Sequence, residues 1–232
     1  MDIVRTRLAE GAAGARGTVV VIDVFRAFTC APLFFHFGVS RVVLEANPAM
    51  ATSLRQAHPD WILAGEVDEV PIEGGDLSNS PSEILRKGRA FFQGRTLIHR
   101  TTAGVTGATS ALERADEVLL GSFVTAGATA RYLRERKPRI VTLVAMGSRA
   151  AEPSPEDEAC AACLEHLLTG RPYDHLSALK EILFDPAAGK FLRGDKPYLP
   201  PEDPVLCLQR DLFDMVLGVG MEDGRVIVRR KA

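Results

Sequence analysis

Short apolar runs and longer amphipathic stretches alternate along most of this chain. The first run, "TVVVID" at 18–23, sets three Val and one Ile between Thr18 and Asp23. An unbroken β-branched run of that length fits a strand buried on both faces. Comparable runs lie at 41–46 ("RVVLEA"), 61–66 ("WILAGE"), 96–102 ("TLIHRTT"), 117–122 ("EVLLGS") and 139–147 ("RIVTLVAMG"). Between them the spacing predicts a helix from Asp23 to about Phe37, stopped by Gly38, and others at 48–58, 125–137 and 155–169. Strands alternating with helices predict an α/β fold with a mostly parallel, or mixed, central sheet covered on both faces.

Beyond Gly170 the pattern loosens. Residues 173–193 read as helical, 193–204 as a Pro-rich loop, and 225–230 as a last strand. The apolar stretch 205–219 fits either element. The whole of 1–232 reads as one domain, with 171–232 a C-terminal extension packed on the main sheet.

Each central run ends in a polar or glycine-containing turn: Asp23, Gly65-Glu66, Thr101-Thr102, Gly121-Ser122 and Met146-Gly147-Ser148. In a parallel sheet these C-terminal ends share one edge, where open α/β folds bind ligands. The segment 65–85 is long for a strand-to-helix connection. It ends in a helix start, with Ser80 as N-cap, Pro81 in the first turn and Glu83 closing a capping box. Capping alone accounts for those three residues. The same helix start also offers free N–H groups to an anion, and Gly74 and Gly75 would let the backbone approach it closely. Thr101, Thr102 and Gly104 offer hydroxyl and amide donors at a second strand-to-helix turn. Neither a P-loop nor a G-x-G-x-x-G fingerprint is present. His99, inside its strand, reads as a core residue.

"SPEDE" at 154–158 is another helix start, with Ser154 as N-cap and its acids favoured by the helix dipole. Its position behind the sixth run puts Asp157 on the same edge as Asp23 and Glu66. Carboxylates gathered in one cleft repel unless a cation joins them, and hard oxygen ligands favour Mg²⁺ over zinc. Arg26, one helical turn past Asp23, fits a bidentate clamp for a phosphate oxygen. Read alone, Asp23 could also be only the cap of the helix that follows it.

Composition narrows the function classes. The 232 residues are 46% hydrophobic and 25% charged with a net charge of −2, which fits a globular chain. The one basic run, Arg229-Arg230-Lys231, is too small to suggest a nucleic-acid partner. No apolar run approaches the roughly 18 residues of a membrane span, and the N-terminus has no secretory pattern, so a cytoplasmic protein is expected. The four Cys, at 30, 160, 163 and 207, are then expected as thiols. Cys160 and Cys163 share helical spacing with Leu164, Leu167 and Leu168, which reads as one buried face rather than a zinc site.

Five blocks in order, "DVFRAFTCA", "GEVDEVPIEGGDLSNSPSE", "HRTTAGVTGA", "GSFVTAGATARYL" and "PEDEACAA", resemble the 2-phosphosulfolactate phosphatase family over roughly residues 18–170. The resemblance implies a three-layer α/β/α fold and a Mg²⁺-dependent hydrolase. Its reaction would remove phosphate from 2-phosphosulfolactate, on the route to coenzyme M or sulfolactate. It carries the family motifs onto Asp23, Arg26 and Thr29, onto Gly65 and Glu66, and onto Asn79, Ser80 and Pro81. It also carries them onto Thr101, Thr102 and Gly104, and onto Glu156 and Asp157. In this assignment Asp23 and Asp157 hold the metal, and Glu66 is a third ligand or a general base. Arg26 and the helix starts at Ser80 and Thr102 bind the phosphate and any second acidic group. Ala103, Val105 and the "GGDLSNSP" segment depart from the family's T-T-N-G-T and G-F-D-L-G-N-S-P, in loops that should touch substrate.

The expected partner is a small anionic phosphoester, with a homodimer as the candidate assembly. Two alternatives keep the scaffold: a phosphatase for another small acid phosphoester, or a non-catalytic anion-binding protein. A haloacid-dehalogenase-type site is disfavoured, since Phe25 stands where D-x-D needs its second acid.

Overall fold

The computed structural model describes residues 1–231. Ten strands form one sheet: β1 (Asp2–Arg7), β2 (Thr18–Ile22), β3 (Arg41–Leu44), β4 (Ile62–Val67), β5 (Val70–Pro71), β6 (Thr96–Arg100), β7 (Glu117–Gly121), β8 (Ile140–Ala145), β9 (Leu217–Glu222) and β10 (Arg225–Arg230). The helices are α1 (Leu8–Gly14), α2 (Ala27–His36), α3 (Pro48–Ala57), α4 (Pro81–Lys87), α5 (Arg89–Phe92), α6 (Gly104–Ala111), α7 (Ala126–Arg136), α8 (Pro155–Thr169), α9 (His175–Phe184), α10 (Pro186–Leu192) and α11 (Glu202–Cys207). Helices cover both faces, so the fold is the expected three-layer α/β/α. The period-2 alternation of β2 shows how. Val19 and Val21 pack with Phe28 and Phe34 of α2, while Val20 and Ile22 pack with Leu133 of α7 and Leu164 of α8. Full burial of each such side chain is worth about 1.5–3 kcal/mol. Cys160 and Cys163 lie in this second cluster as buried free thiols, beside Leu164.

The strand order is β1-β8-β2-β7-β9-β10-β3-β6-β4-β5. Five of the nine pairings are parallel and four antiparallel. This corrects two expectations. First, the extension at 171–232 does not lie upon the sheet: its β9–β10 hairpin fills the middle, between β7 and β3. The apolar stretch 205–219 is split, with α11 before a turn and β9 after it.

Second, the hairpin adds an odd number of reversals between two parallel blocks. β1, β8, β2 and β7 run one way, and β3, β6 and β4 run the other. On a flat sheet their C-terminal ends would lie on opposite edges, with β2 and β6 also about 24 Å apart across the sheet. The residues that follow the strands nevertheless carry side chains of both blocks to one cleft. Gly104, four residues past β6, accordingly touches Asp23, one residue past β2.

β4 and β6 come together through a residue without a side chain. Gly65 has φ +149°, and a Cβ there would sit 1.9 Å from the Arg100 carbonyl oxygen. β1 and β5 lie outside the sequence expectation for different reasons. β1 is mostly exposed and carries no apolar run, and β5 has two residues.

Candidate active site

A cleft of about 290 Å³ opens where the two blocks meet. Its floor and walls come from the ends of β2 (Asp23, Arg26), β4 (Glu66), β6 (Thr101, Thr102) and β8 (Gly147, Ser148). The α8 N-terminus adds Glu156 and Asp157, and Asn79 comes from the loop before α4. One side is closed by α10 and the chain after it, through Lys190, Phe191 and Leu199.

The four carboxylates are held differently. Asp157 bridges two strand ends: one oxygen accepts from the Val24 amide at 2.7 Å and the other from the Gly147 amide at 2.8 Å. Glu66 ties β4 to the start of α6. Its Oε1 accepts from Thr102 N at 2.6 Å, and its Oε2 accepts from Glu69 N at 2.6 Å and Thr102 Oγ1 at 3.1 Å. Asp23 Oδ1 accepts a longer bond, 3.2 Å, from Ala27 N at the start of α2. The capping role therefore accounts for one of its oxygens. The other faces Gly104, where a Cβ would come within 2.6 Å. Glu156 is buried, and its Oε2 has no hydrogen-bond partner.

Burial raises the affinity of these acids for protons. The Asp23 carboxyl is pushed up to about 7, first by burial and then by the charges of Glu66 and Glu156, against the pull of the Ala27 and Gly104 amides. Burial also raises Glu156, and raises Asp157 together with the charges of Glu156 and Asp23. Acids crowded out of water in this way are stabilised as anions by a cation placed among them.

The expected residues are not all drawn into the cleft. Gly74 and Gly75 sit on the exposed loop past β5, and neither lines it. Ser80 caps α4, accepting from Glu83 N, while its hydroxyl donates to Asp203 at 2.9 Å; it too lies off the cleft wall. The helix-start reading thus holds for capping. Asn79 does line the cleft, with Oδ1 3.0 Å from His99 Nε2. His99 is the core residue expected, edge-on to Phe34, with burial lowering its pKa to about 3. Thr101 Oγ1 accepts from Val105 N and shapes the α6 start, whereas Thr102 positions Glu66.

Arg26 is anchored from behind. Its Nη1 donates to Asp203 Oδ2 and to the Tyr198 carbonyl, both at 2.9 Å, and its guanidinium lies 5.3 Å from the Phe191 ring centre. Among the described residues its Nε and Nη2 have no partner. Asp203 escapes sequence reasoning: it sits 177 residues from Arg26, in a Pro-rich stretch with no periodic signal. Lys190 and Phe191 were likewise hidden, in a segment that reads only as amphipathic helix.

Among the described residues, no three carboxylate, His or Cys side chains form a ready-made cation cage. The expected triad of Asp23, Glu66 and Asp157 is therefore not closed. Glu66 is turned onto the Thr102 and Glu69 amides, and Asp157 onto those of Val24 and Gly147. The donor set still suits Mg²⁺, which is commonly held by one or two carboxylates with water and substrate phosphate completing the shell. Asp23 and the partnerless Glu156 Oε2 meet that lesser requirement.

The chain matches the family model described as 2-phosphosulpholactate phosphatase over residues 6–219. It is 32% identical over 211 residues to the probable 2-phosphosulfolactate phosphatase of Bacillus subtilis, covering 89% of this chain and 88% of the relative. It is also 32% identical over 211 residues to the protein of that name from Caldanaerobacter subterraneus, covering 85% and 86%.

Proposed function

The chain belongs to the 2-phosphosulpholactate phosphatase family, hydrolases of a phosphoric monoester, and we propose that its own reaction is the Mg²⁺-dependent release of phosphate from 2-phosphosulfolactate. The observation that carries this reading is the meeting of Asp23 and Glu156, two buried and incompletely bonded carboxylates, with the open edge of Arg26 in one cleft.

Asp23 and Glu156 would hold the metal. When bound, Mg²⁺ would withdraw charge from the phosphoryl oxygens as the ester bond breaks. The residues around it do the positioning. Asp157 locks the ends of β2 and β8 together, so the backbone that carries Asp23 stays fixed relative to α8. Glu66 does the same for β4 and α6, keeping Gly104 pressed against Asp23. Arg26, held by Asp203, presents Nε and Nη2 to a phosphate oxygen without having to order a free side chain. Burial strengthens each of these charge interactions relative to water.

Phosphate release from a panel of small phosphoesters, with Asp23→Asn alongside, tests the reading. 2-Phosphosulfolactate should give the highest kcat/KM, and Asp23→Asn should lower it by at least about 100-fold. The melting temperature of that variant without added metal should be unchanged or higher, because a crowded buried charge is gone. A variant with full rate, or a protein that treats neutral phosphoesters equally well, contradicts it.

A further inference from the structure

The rim of the cleft carries an ion pair that the reaction as described does not use. Lys190, on α10, places Nζ 2.5 Å from Glu69 Oε1. Both residues line the cleft, and both side chains are mostly shielded, at 21% and 29% exposure. The pair joins segments 121 residues apart. Glu69 lies in the two-residue turn between β4 and β5, where Asp68 and Glu69 have φ of +50° and +74°. That is the geometry of a type I′ hairpin turn. The turn's backbone is pinned, Glu69 N donating to Glu66 Oε2 at 2.6 Å and Asp68 N to Thr102 Oγ1 at 3.1 Å, so only the Glu69 side chain is free to swing.

The other cations of the cleft are differently committed. Arg26 is fixed by Asp203 and Tyr198 at its back. Arg149 pairs with Asp68 only at 3.7 Å, both side chains being 60% exposed, where such a contact holds little. Lys190 is the shielded cation whose partner is a side chain held by this ion pair. Its charge also reaches Glu156, so it stands beside the carboxylates proposed for the metal rather than at a remote surface.

We propose that Lys190 binds the second acidic group of the substrate, a carboxylate or sulfonate, and that the Glu69 carboxylate occupies this position until the substrate displaces it. The identity of that acidic group rests on the reaction proposed above. The chemistry explains the arrangement. A phosphoester that also carries a carboxylate and a sulfonate needs a cation outside the phosphate site. A lone ammonium beside buried acids would otherwise collapse onto them. An internal carboxylate keeps the site neutral when empty, and a substrate anion can replace it like for like. Lys190 thus selects acidic phosphoesters, and Glu69 sets how tightly they bind.

Calorimetric titration with 3-sulfolactate and, separately, inorganic phosphate in Mg²⁺ buffer tests this in the wild type, Lys190→Ala and Glu69→Gln. Lys190→Ala should weaken sulfolactate binding about tenfold or more and change phosphate binding by less than about twofold. Glu69→Gln, by removing the competing anion, should tighten sulfolactate binding. The two variants must move in opposite directions. If both weaken it equally, the pair is only a strut between α10 and the turn, and the proposal is overturned. Unchanged sulfolactate affinity in Lys190→Ala overturns it as well. Steady-state rates separate this from the proposed reaction. Lys190→Ala that keeps the wild-type KM for 2-phosphosulfolactate removes the role of Lys190 and leaves the phosphatase. A wild type that hydrolyses no phosphoester but shows the opposed shifts removes the phosphatase and leaves the anion site.

Discussion

At the scale of single residues, the site is built by burying acids and then giving each a different number of partners. Asp23 and Glu66 could be read from the sequence because a strand that ends in an acid has a signature of its own, and Asp157 because it lies in a capped helix start behind such a strand. Their division of labour could not, since it depends on which backbone amides the fold turns toward each oxygen. Asp203 had no signature at all, yet it is fully buried and bonds Arg26, Ser80 and the Ser82 amide. Asp203→Ala leaves the Arg26 charge buried without its partner. Urea denaturation should show a loss of about 3–5 kcal/mol, and a loss below about 1 kcal/mol would contradict the anchoring role. His99 supplies a pH test. Its folded-state pKa lies near 3, against the ordinary imidazole value of 6.5, so below pH 6.5 the unfolded chain takes a proton that the folded chain refuses. Stability should therefore fall as pH drops from about 6.5 toward 3. The part of that slope due to His99 should vanish in His99→Gln, measured by denaturation at stepped pH.

At the scale of elements, the central strands and the helix α8 follow the apolar periodicity closely, because β-branched runs and capped helix starts are local signals. The stretch 205–219 resisted assignment because an apolar run with no clear period suits either state. Only the ladder with β7 and β10 makes its last part a strand. The β4–β6 contact shows how one residue type decides an element. Gly65→Ala would drive a methyl group into the Arg100 carbonyl at a backbone angle that also disfavours side chains. It should cost about 3 kcal/mol or more. Gly74→Ala, also at positive φ but in open space, should cost only about 1 kcal/mol. Equal costs for the two, in parallel thermal and urea melts, would show that the close approach is not what Gly65 is for.

At the scale of the molecule, the sequence showed that strand ends carry the chemistry but not which way the strands run. A mostly parallel reading placed every end on one edge. The β9–β10 hairpin instead divides the sheet into two opposed parallel blocks, yet residues following strands of both blocks line a common cleft. No local pattern encodes that, because it depends on where the last residues of the chain insert. Among the described residues no helix is long and apolar enough to cross a membrane. The cleft, with its acids from both blocks, is the feature this architecture creates. The central claim is that these acids act on a phosphoester through a bound cation. The most direct measurement is phosphate release from 2-phosphosulfolactate by the purified chain with Mg²⁺, after EDTA, and after Mg²⁺ is restored. The account predicts activity that EDTA abolishes and Mg²⁺ returns; a rate indifferent to EDTA would contradict it.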